Sequence, residues 1–65
     1  MKIQNTELTE KEIGEVVTYC PPHAKMNPNH KDAERGRIKS FNDKFVFVDY
    51  IRNVAATPPE LLIWG

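Results

Sequence analysis

Residues 36–50 constrain the fold of this chain more than any other stretch. They read Gly-Arg-Ile-Lys-Ser-Phe, then Asn-Asp-Lys, then Phe-Val-Phe-Val-Asp-Tyr. Two runs rich in β-branched and aromatic residues flank three residues suited to a reversing backbone, which predicts an antiparallel hairpin. Side chains alternate across a strand, so Val46, Val48 and Tyr50 share one face and Phe45, Phe47 and Asp49 the other. A face that ends in a charge is a poor core. Val46 and Val48 are therefore expected inside, opposite Ile38, with Phe45 and Phe47 only partly covered.

The other elements follow from local signals. Thr9 and Glu12 have the spacing of a capping box, with Leu8 and Ile13 placed as a hydrophobic staple and Gly14 as a stop. This predicts a single helical turn leading into a strand over 15–19. Pro21 and Pro22 end that strand, because proline offers no N–H to a ladder. Residues 21–33 then form a long polar loop, of a length that is unusual in a compact domain and often functional. A short strand over 54–56, a helical turn over 58–61 that begins with proline, and a last strand over 62–64 complete the chain. The last strand is expected to close the sheet and so remove its exposed edges. Residues 1–7 carry no such signal and are read as a candidate disordered end. The 65 residues are expected to form one domain.

A strand, a long loop, a glycine-led hairpin, a short strand, a helical turn and a closing strand together resemble a small five-stranded SH3-like barrel. The stretches Glu34-Arg35-Gly36-Arg37-Ile38 and Asn42-Asp43-Lys44-Phe45-Val46-Phe47-Val48 are similar to those of a group of small phage and prophage proteins. Val17-Thr18-Tyr19, Pro22-His23-Ala24, His30-Lys31-Asp32 and the segment from Ala56 to Leu61 match the same group. The likeness thus covers roughly residues 13 to 64. Members often carry a cysteine where Ala33 stands here. The group has no settled function, so the resemblance implies a fold and an origin and no activity. The likeness to KOW-type barrels is more distant.

Composition narrows the chemistry. Nine basic and nine acidic side chains balance to zero net charge. A dedicated nucleic-acid binder, whose affinity rests on neutralised phosphates, is thereby disfavoured. The charges are nonetheless segregated. Lys25, Lys31, Arg35, Arg37, Lys39 and Lys44 outnumber Asp32, Glu34 and Asp43 in the middle of the chain, which makes residues 25–44 basic. Cys20 is the one cysteine. A single free thiol suits a reducing compartment. The first residues lack the apolar run of a signal peptide, and Leu61-Leu62-Ile63-Trp64 falls far short of the ~20 apolar residues that span a bilayer. A soluble protein of the host cytoplasm, with no membrane contact, is expected.

Four kinds of site remain to be weighed. Cys20 with His23 offers a nucleophile and a base, but no oxyanion element and no obvious pocket, so no enzyme is expected. Cys20, His23 and His30, with Asp32 or Glu34 nearby, supply enough donors for zinc, although the second half of the pattern lacks a paired ligand. The chain is read as needing no cofactor, with a metal-stabilised domain as the lesser alternative. Basic residues 25–44 with Phe41, Phe47 or Tyr50 as stacking faces suit a single-stranded nucleic acid. A protein partner suits a barrel that presents aromatic and loop residues to an extended segment. The preferred expectation is an accessory binding module for a host or phage protein, using Tyr19, His23, His30, Arg35, Arg37 and Phe47, with Arg35 and Arg37 selecting an acidic partner.

Overall fold

A computed structural model describes all residues from Met1 to Gly65. The chain is mostly β, with seven strands in two antiparallel sheets and no α-helix. The strands are β1 (Lys2–Ile3), β2 (Thr6–Glu7), β3 (Val16–Tyr19), β4 (Glu34–Phe41), β5 (Val46–Asp49), β6 (Val54–Thr57) and β7 (Leu62–Trp64). β1 and β2 make a small hairpin, and the other five form a sheet in the order β6-β5-β4-β3-β7. Three short 3-10 turns, Glu10–Glu12, Pro22–Ala24 and Pro59–Leu61, punctuate the connections. No helix is long and apolar enough to cross a membrane.

The expected hairpin is β4 and β5. At its turn the Asn42 side chain accepts the backbone N–H groups of Lys44 and Phe45, both at 2.8 Å, which is how an asparagine substitutes for missing ladder bonds. The register slips between Ile38 and Ser40, so that Lys39 is an extra residue on β4. Such a bulge reverses which face the following side chains take. Its effect here is to return Phe41 to the inner face, opposite Val46, where it packs on the core. That core consists of Ile3, Leu8, Val17, Ile38, Val46, Val48, Tyr50 and Leu62. Val46, Val48 and Ile38 face inward as the alternation predicts, while Phe45 stays 38% exposed and Phe47 half-buried.

The capping box at Thr9 and Glu12 is formed, with Glu12 accepting from the Thr9 N–H at 2.6 Å and the Thr9 hydroxyl at 2.7 Å. Those bonds hold the Glu12 carboxyl below its usual pKa. Leu8 goes to the core while Ile13 is 43% exposed, so the staple pairing contributes little.

Two expectations are corrected. The sheet does not close, because its order leaves β6 and β7 as unpaired outer strands. Residues 1–7 are not a disordered end. Ile3 is wholly buried in the core, and the hairpin it belongs to lies against β7. There the Ile3 carbonyl accepts the Trp64 indole N–H and the Gln4 side chain accepts the Trp64 backbone N–H, each at 3.1 Å. The N-terminal hairpin thus covers the β7 edge, which handles by packing the hazard that closure would have removed.

Candidate functional site

With the inner face of the five-stranded sheet committed to the core, its outer face is the surface left to function. Alternation and register place Val16, Arg37, Asp49 and Val54 side by side in one row across β3 to β6, with Arg35 and Thr18 beside it on one flank and Phe47 and Ala56 on the other. No helix or second sheet layer is packed over this row. The row carries a groove of about 350 Å³, lined by Val16, Arg35, Gly36, Arg37, Asp49 and Ile51.

Its electrostatics are unusual for so small a protein. Arg37 and Asp49 are directly opposite in the ladder, a position in which opposite charges normally pair. They do not pair here. Arg37 donates to the Gly14 carbonyl at 3.0 Å, and the Asp49 carboxylate accepts the Ile51 N–H at 3.0 Å. The Arg35 side chain makes no hydrogen bond or ion pair within the chain. The N-terminal amine pairs with Glu7 and Asp32 faces the two histidines, so no lysine or arginine is neutralised by a carboxylate. Two guanidinium groups in one groove therefore lack a carboxylate partner; Arg37 gives one donor to Gly14 and keeps the rest, and both can meet an acceptor such as a carboxylate.

Ile51 forms the lip of this groove and is 92% exposed. Its φ is 77°, and the Arg52 N–H bonds the Tyr50 carbonyl across it at 2.9 Å, so Ile51 is the centre of a γ-turn of the rarer, positive-φ kind. A β-branched residue in that region is a genuine outlier. The turn is held by the Asp49 carboxylate on one side and by the Tyr50 N–H to Asn53 carbonyl bond, 2.9 Å, on the other. Nothing in the interior gains from an isoleucine at this position.

The six residues expected at the site do not form one surface. Arg35, Arg37 and Phe47 are on the outer face. Tyr19 is on the inner side, opposite Glu34, where it packs against the core and meets the Tyr50 ring edge-on at a centroid distance of 6.4 Å. It lines a separate cleft of about 380 Å³ with Tyr50, Ala55 and Pro58. His23 and His30 belong to the 21–33 loop and meet each other there, ring centroids 5.2 Å apart. Of the stacking faces considered for a nucleic acid, Phe41 and Tyr50 are committed to the core, which leaves Phe47 alone beside the arginines. Cys20 is buried at the end of β3, away from solvent. Sequence reasoning missed Ile51, whose type predicts burial and whose backbone angle no local motif announces. It also set Asp49 aside as a mere solvent-facing charge.

Comparison with protein families, with characterised proteins and with solved structures finds no match to this chain.

Proposed function

We propose that this chain is a non-enzymatic, SH3-like binding module of phage or prophage origin. It docks an acidic, partly apolar segment of a host or phage protein in the groove of the outer sheet face. The observation that carries this reading is Ile51, an exposed β-branched side chain held at positive φ beside Arg35 and Arg37, neither of which has a carboxylate partner. Strain of this kind costs on the order of 1–3 kcal/mol and persists where function uses it. An apolar lip next to two guanidinium groups that no carboxylate neutralises matches a partner residue pair of one carboxylate and one aliphatic or aromatic side chain. A nucleic acid is the second candidate for the same arginines. It is disfavoured because a single-strand reader sets several aromatic faces among its cations, and here Phe47 stands alone.

The test is a pull-down from host lysate with three baits: the native protein, an Arg35→Glu/Arg37→Glu variant and Ile51→Asp. Each is run with and without nuclease at two salt concentrations. A protein retained by the native bait after nuclease treatment, and lost with both variants, bears the reading out. Recovery that needs nucleic acid and collapses with salt refutes it in favour of phosphate binding. A retained protein that both variants capture equally well refutes the groove as the site.

A further inference from the structure

Both histidines of the chain lie in the connection between β3 and β4, seven residues apart. The loop brings them together with one carboxylate. His23, His30 and Asp32 each place a donor atom within 4.8 Å of the others. We propose that these three side chains form a binding site for a divalent transition metal of the zinc class.

The distances fit the chemistry. Ligand atoms about 2.0–2.1 Å from a tetrahedral ion are separated by roughly 3.3 Å from one another. The Asp32 Oδ2 atom is 2.7 Å from His23 Nε2 and 3.9 Å from His30 Nδ1, values that bracket this spacing. In the metal-free protein the proton of His23 Nε2 occupies the line to Asp32, so an ion entering the cluster takes the place of a proton. His30 Nδ1 accepts the Asp32 backbone N–H at 3.0 Å, which puts its own ring proton on Nε2 and leaves the Nδ1 lone pair on the Asp32 side. Coordination through Nδ1 exchanges that weak bond for a metal bond. Two imidazole nitrogens and one carboxylate oxygen are a borderline donor set, suited to zinc and cobalt more than to calcium or magnesium. The fourth position falls to water. Of the donors named on sequence grounds, Cys20 is wholly buried and contributes nothing, and Asp32 is the carboxylate that joins the histidines.

The surrounding loop has a use for such a link. Over 21–33 only Pro21 and Ala24 are buried, so little apolar surface holds it. Lys25 and Met26 are successive residues at φ of 51° and 61°, each disfavoured by about 1–2 kcal/mol for a residue with a side chain. The chain has no disulfide, and small domains without one are commonly stapled by a metal. The ion would join the start of the loop to its end.

The experiment uses tag-free protein titrated with Zn2+ and, separately, Co2+. One saturable equivalent of each is expected, with a rise in melting temperature on adding Zn2+. Cobalt should give visible d–d absorption without the near-ultraviolet band of a thiolate ligand. His23→Gln, His30→Gln and Asp32→Asn should each weaken binding by more than the ~10-fold that even outer-shell substitutions cost. Asp32→Asn retains an oxygen able to accept the His23 N–H, so its metal-free melting temperature should stay unchanged. The Arg35→Glu/Arg37→Glu variant should bind metal as the native protein does, which separates this site from the groove. Absence of saturable binding, a thiolate band, or undiminished binding by the three variants would overturn the proposal.

Discussion

Tyr50 and Gly36 show how little slack the inner face has. A Cβ on Gly36 would sit 2.5 Å from the Asp49 carbonyl and 2.7 Å from a Val48 methyl, with the Tyr50 ring at 3.0 Å. The first obstacle is backbone, which cannot swing aside, so Gly36→Ala must part β4 from β5. A loss of about 2–3 kcal/mol is expected, at the upper end of what overpacking costs, and urea unfolding measures it. Tyr50 itself bonds Thr57 through its hydroxyl at 2.6 Å inside the protein. Burial pushes its pKa above the ordinary 10.0, against the opposing pull of that hydrogen bond. The folded state thus holds the phenolic proton more tightly than the unfolded chain does. Its contribution is complete below the ordinary tyrosine value and is lost as pH climbs from there through the elevated native one. Urea midpoints compared at neutral pH and above pH ~10 should show this fall, and Tyr50→Phe should flatten it. At neutral pH that variant is expected to cost about 1 kcal/mol, the usual worth of one hydrogen bond.

Among the elements, legibility in the sequence tracked the length of the periodic run. The β4–β5 hairpin, the capping box and the proline-led turn before β7 each had a signal several residues long, and each is present. β1 and β2 are two residues apiece, too short for any alternation to register. Their stability comes from tertiary contact, which no window of sequence contains. The same holds for closure, since whether β6 reaches β7 depends on how far the five strands twist together. At the site, Arg35, Arg37 and Phe47 were readable as the wet side of a strand. Ile51 and the exclusion of Cys20 from the histidine cluster were not, because both depend on the backbone path of a turn or loop. The N-terminal hairpin supplies the clearest test at this scale. Ile3 is wholly buried, and its replacement by alanine should cost about 3 kcal/mol by lost transfer energy and the cavity left. A domain of this size holds only ~3–5 kcal/mol in reserve. Ile3→Ala should therefore keep at most ~2 kcal/mol and melt well below the native protein by circular dichroism, and a disordered end would have left it as stable as the native protein.

For the molecule as a whole, the division of the sheet into an inner and an outer face separates the residues that fold the chain from those of the proposed binding groove. Val17, Ile38, Val46, Val48 and Leu62 do the packing, while Val16, Arg37 and Asp49, each next in sequence to one of them, line the groove. Substitutions of the two sets should then have opposite profiles. Ile51 is the sharpest case, because there the two requirements conflict. Its side chain is 92% exposed and gives the core nothing, while its φ of 77° costs the fold. Glycine accepts that angle freely, at the price of a more flexible unfolded chain. Ile51→Gly should leave the protein more stable by about 0.5–1 kcal/mol, the strain relieved exceeding the entropy added. The same variant removes the apolar lip, so capture of the partner should fall. A rise in the urea midpoint together with lost binding marks a residue kept for its surface. A fall in the midpoint would mean that the turn needs isoleucine for folding, and the groove would lose its strongest claim to be a site.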